Sequence, residues 1–135
     1  MSVQHLPIVT PLGQLRGRDC IYLDDVESNE VECSVTLHGE ISGPLVEIDP
    51  CDEFIGFSLT FHGVSYFAQT ALDESDCDWD SSFEERLGTE LLWKARGNEA
   101  LRHFFVQTYD DVFDVLCTSY LLSLETANDS SRGKV

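Results

Sequence analysis

The chain has 135 residues, 42% of them apolar, which suits one domain with an ordinary core, and its supply of aromatic and β-branched residues argues against a disordered body. Eight Lys and Arg face 25 Asp and Glu, a formal net charge of -17. Such a surface repels phosphates, which argues against binding DNA, RNA or an anionic membrane, and it favours cations: metal ions or a basic protein partner.

Residues 1–19 carry two prolines and two glycines and read as an extended arm with a short strand over 6–9. The run CIYL (20–23) is apolar and closes at Asp24 and Asp25, and ESNE (27–30) reads as a turn. The clearest strand follows in VECSVTLH, where Val31, Cys33, Val35 and Leu37 alternate with Glu32, Ser34, Thr36 and His38. Period two predicts one buried and one wet face, and the two runs around ESNE suggest a hairpin. Residues 39–53 hold a Gly-Pro pair and a second proline and read as a loop, with an edge-like segment at 45–48.

A second strong strand spans 56–62, with Phe57, Leu59 and Phe61 on one face. Gly63 interrupts it, and Val64, Tyr66, Ala68 and Thr70 resume the alternation. The stretch DESDCDWDSSFEE (73–85) then carries seven acids in thirteen residues. Ser81-Ser82-Phe83-Glu84 fits a helix capping box, and Lys94, Arg96 and Gly97 supply stop chemistry, so a helix is predicted over 82–95.

The segment 101–125 is ambiguous. Phe113, Leu116, Cys117, Tyr120, Leu121 and Leu124 fit a helical stripe, whereas the aromatic and β-branched content of 104–109 favours strands. Two strands joined at Tyr109-Asp110-Asp111 are the reading taken, with helix over 112–124 as the alternative. The fold class expected is α+β: a mainly antiparallel, curved sheet with one principal helix. Residues 1–125 form the domain and 126–135 a frayed tail.

The five cysteines are odd in number and no pair has CxxC spacing, which excludes a zinc ribbon and a thioredoxin-type motif and fits free thiols in a reducing cytoplasm. The first residues show no signal peptide, and no run approaches the ~18 apolar residues of a membrane span. Asp76, Asp78 and Asp80 match positions 1, 3 and 5 of a calcium loop, but Ser81 stands where glycine is needed and Leu87 where a bidentate glutamate is needed. They form a weak metal candidate only.

Hydrolase, zincin, P-loop and dinucleotide motifs are absent, and no cofactor is implied. A Cys–His pair assembled by folding is the remaining catalytic route. Acids cluster at 24–32, 47–53, 73–85 and 110–114, two of the clusters beside an aromatic, Trp79 or Tyr109. Charge steers a basic partner and an aromatic anchors it, so Asp76, Asp78, Trp79 and Asp80, then Asp110 and Asp111, are the candidate contacts.

The runs SSFEE and HFFVQTYDDVFDVLCTSY resemble, loosely and over about 55–122, a pattern in small acidic bacterial single-domain proteins, among them immunity proteins of toxin systems. The resemblance implies a non-enzymatic protein that blocks a basic toxin, and it carries no catalytic residues over. The alternative is a divalent-metal or small-ligand domain built on 73–85.

Overall fold

The computed structural model describes residues 3–15, 20–43, 54–71, 81–94 and 100–125. Eleven strands appear in them: β1 (Gln4–Pro7), β2 (Val9–Thr10), β3 (Gly13–Gln14), β4 (Ile21–Asn29), β5 (Ser34–Ser42), β6 (Phe54–His62), β7 (Tyr66–Ala71), β8 (Phe83–Leu87), β9 (Arg102–Gln107), β10 (Asp111–Cys117) and β11 (Ser119–Glu125). One short helix, α1 (Glu90–Lys94), lies between β8 and β9. The first sheet has the order β1-β8-β9-β10-β7, the second β11-β6-β5-β4, and β2 pairs with β3. All pairings are antiparallel.

The two sheets share a bent hairpin. Residues 63–65 separate β6 from β7, and Thr118 alone separates β10 from β11. Both bends meet at one corner: Thr118 N donates to the His62 carbonyl (2.9 Å) and Ser65 N to that of Leu116 (2.7 Å). Gly63 turns this corner at φ 65°, with Thr118 where a Cβ would stand. Strands that switch sheets by bending fold the two layers over one core. Phe57, Leu59 and Phe61 meet Phe83, Phe104, Val106, Phe113 and Val115 there, and Leu12 and Leu15 pack from the N-terminal segment.

The expected α+β class with a principal helix at 82–95 is overturned: the architecture is mostly β, and the local capping signals yield to pairing with distant strands. Phe83–Leu87 lies between β1 and β9, with Phe83 buried against Phe104 and Tyr120. Ser81 caps no helix: its hydroxyl donates to the Phe83 carbonyl (2.7 Å). Thr89 takes that role, accepting from Leu92 N (3.3 Å), and the helix it starts has five residues. Among the described residues no helix is long and apolar enough to cross a membrane.

The segment 101–125 is three strands, not a helix. Within its helical stripe, Phe113, Leu116 and Cys117 belong to β10, which is buried on both faces, so the polar-apolar alternation fails there. The expected turn at 27–30 belongs largely to β4, and the pattern begun at Val31 starts three residues before its strand. Val31 is 94% exposed, and Cys33 is exposed at φ 53°, its carbonyl accepting from Val64 N (2.8 Å). The edge-like segment at 45–48 and the tail at 126–135 lie outside the described residues.

Candidate functional site

The second sheet buries one face and presents the other. Alternation sends Ile21, Val26, Val35, Leu37, Ile41, Ile55, Phe57, Leu59 and Phe61 to the core. The outer face then carries Tyr22, Asp25 and Glu27 of β4, Thr36, His38 and Glu40 of β5, Phe54, Ser58 and Thr60 of β6, and Leu121 and Ser123 of β11. Its floor is short hydroxyl side chains, with Thr36 and Thr60 hydrogen-bonded at 2.9 Å. Acids line the β4 rim. A bulge between Leu23 and Asp25 adds Asp24 to that rim, and Asp24, Asp25, Glu27 and Glu40 are all exposed. Gly39 makes the bulge possible, since a Cβ there would press into the Tyr22 carbonyl and the Leu23 Cα.

Charge is distributed unevenly between the sheets. No Lys or Arg occurs between Arg18 and Arg86, and β4, β5, β6 and β11 contain none. The described cations, Arg86, Lys94 and Arg102, belong to the first sheet or to α1, and each is paired there: with Glu84 (2.8 Å), Glu90 (3.2 Å) and Glu85 (2.8 Å). The Glu85 carboxylate, hydrogen-bonded to Arg102, raises that guanidinium's pKa. On the second sheet, Glu27 has His38 at 3.3 Å, a neighbour charged only when protonated.

At one end of the outer face, three aromatics form a shelf. The β9–β10 turn reaches the start of β4, where Tyr109 N donates to the Ile21 carbonyl (2.8 Å). Tyr109 thereby stacks on Tyr22 (5.2 Å, 21°), and Phe54 meets Tyr22 edge-on (5.4 Å, 88°). Tyr109 remains 40% exposed and Phe54 54%. Asp110 is exposed on the same turn. Asp111 is half-buried and held: Gln69 Nε2 donates to its carboxylate (3.1 Å), and its backbone is clasped by Thr108. Of the two expected contacts, Asp110 is thus exposed and Asp111 is hydrogen-bonded to Gln69 and within the turn. Ala71, from which the chain leaves toward 72–80, pairs with Asp111. Asp76, Asp78, Trp79 and Asp80 lie outside the described residues.

The opposite end of the face holds a cleft of about 500 Å³, lined by Glu27, Glu30, Glu32, Thr36, Thr60 and His62 among others. Among the described residues no group of His, Cys, Asp and Glu is arranged to hold a metal ion.

The reverse face of the first sheet carries a buried charged network. Glu84 accepts from Arg86 Nε (2.8 Å) and pairs with His5 Nδ1, and Arg86 lies over the Phe105 ring (3.8 Å). Beside it, His103 links Thr89 Oγ1 (2.9 Å) to Asp114 Oδ1 (2.8 Å). This threonine–histidine–aspartate order has the chemistry of a nucleophile with its base. Its hydroxyl, however, already caps α1, and both Thr89 and His103 are buried. The network ties α1 and β1 to the sheet.

Among the described residues the free thiols are Cys20, Cys33 and Cys117. Cys117 is buried and its pKa is pushed up to about 11 by that burial. Burial of the neutral thiol thus stabilises the fold fully below the ordinary value of 9.0, and the contribution is lost as pH rises toward 11. Cys20 is also buried and Cys33 exposed. Alkylation of the native protein at neutral pH is expected to label Cys33 well before Cys20 or Cys117, as followed by peptide mass mapping over time. Early labelling of Cys117 would contradict its burial and reopen a nucleophilic role.

Compared with family models, with curated proteins and with solved structures, the chain matches none. The resemblance to immunity-type proteins therefore has no relative to rest on, and the reading of function rests on geometry and charge. Sequence reasoning missed Tyr22 and Phe54. The signal for Tyr22 was present, since apolar Ile21 and Leu23 flank it and put it on the opposite face of a strand.

Proposed function

We propose that the protein is a non-enzymatic interaction protein of the cytoplasm that binds a basic protein partner across the outer face of its second sheet. Neutralisation of a basic toxin by steric and electrostatic occlusion is the most concrete form of this function. The observation that supports it is the absence of Lys and Arg from β4, β5, β6 and β11 beneath an exposed acidic rim. A single-sign field over one face steers an oppositely charged surface and speeds its association. The hydroxyl floor lets that surface approach closely, and the aromatic shelf supplies an anchor at one end. Asp76, Asp78, Trp79 and Asp80 join the contact in this proposal on the strength of their charge and the indole, and Asp110 on its exposure.

The test uses capture at ~50 mM salt, with elution at ~500 mM, where exposed charges are screened within a few ångströms. The wild-type chain is compared with a variant carrying Asp24→Asn, Asp25→Asn and Glu27→Gln. Three exposed pairs at ~0.5 kcal/mol each amount to about a tenfold loss of affinity, and the captured basic protein should elute with salt. A partner held equally by the variant, or held through high salt, would remove this face from the function.

A further inference from the structure

The two larger sheets end in four edge strands, β1, β7, β4 and β11. An edge offers unpaired backbone N–H and C=O groups, and proteins blunt it with charge, proline or a bulge. β1 is four residues long and contains Pro7, and β4 carries Asp24, Asp25, Glu27 and a bulge. β7 is uncharged, but one residue separates it from the acid-rich stretch 73–85. β11 has none of these devices. From Ser119 to Leu124 it holds no charge and no proline, its register with β6 is unbroken, and among the described residues it pairs with β6 alone.

Charge also falls across the second sheet in strand order. β4 contains three acids, β5 one, β6 none and β11 only Glu125. Beyond Asp114 the sequence holds two acids, Glu125 and Asp129, against two bases, Arg132 and Lys134, in a chain whose net charge is -17. Here one copy of the chain can approach another with the least like-charge repulsion, and here a basic partner finds the least to attract it. Tyr120, Leu122 and Leu124 pack against the core yet are only partly buried, and Leu121 on the opposite face is 62% exposed.

We propose that β11 is a self-association edge: it pairs antiparallel with β11 of a second copy about a two-fold axis at Leu122, joining two four-stranded sheets into one. In this register Leu122 falls opposite its own copy, and Tyr120 opposite Leu124 of the second copy, all on the core side. Leu121 falls opposite Ser123 on the outer side, and Ser119 opposite Glu125, so no two carboxylates face each other. The two β4 rims then lie seven strand spacings apart, about 34 Å or roughly four Debye lengths at physiological salt, so their charges barely oppose the pairing. Both acidic outer faces stay open to a basic protein, and the pairing stands whether or not such a protein binds. A contact one strand wide is small against a standard interface, so the dimer is a weak one.

The experiment follows the full chain by sedimentation equilibrium from about 5 to about 500 μM, at ~50 and ~500 mM salt. The apparent mass is expected to rise toward twice that of the monomer and no further, because a two-fold contact uses up its own edge. Association should tighten about three- to tenfold at the higher salt, where the residual repulsion of two anionic copies is screened. A complex with a basic protein responds to salt in the opposite sense. Leu121→Glu sets two carboxylates diagonally across the axis and should weaken self-association about tenfold at low salt. If that variant does not fold by circular dichroism, Ser123→Glu, at another exposed position opposite Leu121, serves in its place. Hydrogen exchange gives the location: amides of 119–125 should slow as concentration rises, and those of 66–71 should not. A monomer at every concentration and both salts would overturn the proposal. So would a mass climbing past twofold, a dimer untouched by the glutamate variant, or protection that appears on β7 instead.

Discussion

Arg86→Met is expected to cost about 3–5 kcal/mol of folding stability, the usual consequence of leaving a buried charge without its counterion. The Glu84 side chain is 3% exposed, and the Arg86 Nε bond at 2.8 Å is its strong charge-assisted contact there. His5, its other partner, is 43% exposed and carries charge only when protonated. Methionine keeps a long apolar stem over the Phe105 ring, so most of the packing survives and the lost charge dominates. Urea denaturation followed by circular dichroism measures the effect. Adding Glu84→Gln to Arg86→Met removes the orphaned charge, keeps the shape, and is expected to restore at least half of the loss. A single variant within 1 kcal/mol of wild type, or a double variant no better than the single, would show that packing and not ion pairing holds β8 in place.

That network also shows where the sequence misleads. In SSFEERLGTELLWK most local signals favour helix: a serine cap, acids in the first turn, good helix formers and Lys94 at the end, with Gly88 as the one breaker. The deciding interactions are non-local. Phe83 needs Phe104 and Tyr120, which lie about twenty and forty residues further along, and Glu84 needs His5 from the N-terminal strand. No window short enough to show periodicity contains them. The alternation of Phe57, Leu59 and Phe61 was legible because β6 faces the core on one side and water on the other. The same rule failed at Val31 and Cys33 because a hairpin turn extended the pattern past the end of its strand.

The candidate site divides in the same way. Asp110 could be read from its neighbours in the chain. The shelf could not, because Tyr22, Phe54 and Tyr109 come from β4, β6 and the β9–β10 turn and meet only once two sheets are closed. The long interval without Lys or Arg is a plain fact of the sequence. It becomes a surface only through the order β11-β6-β5-β4, which gathers cation-free strands into one sheet and leaves Arg86 and Arg102 in the other.

Phe104→Ala is the second large effect expected, about 3–5 kcal/mol, from lost burial and the cavity left behind. Phe104 is fully buried, and its ring meets Phe83 of its own sheet at 6.3 Å, Phe61 of the second sheet at 5.9 Å and Tyr120 of the second sheet at 5.1 Å. It therefore joins the layers, and neither sheet can close the gap alone without giving up its own register. Phe104→Leu, which refills part of the volume, should cost clearly less, and Leu121→Ala at a 62% exposed position should stay within about 0.5 kcal/mol. Urea midpoints at constant m-value rank the three. The ranking bears on function as well as stability, because β6 and β11, which lie in the same sheet as the acidic rim, rest on this ring through Phe61 and Tyr120. At a temperature where Phe104→Ala is still folded, its affinity for a basic probe should equal that of the wild type, since no contact residue has changed. A variant that stays folded yet loses binding would mean that the face is held in its binding shape by the inter-sheet packing itself.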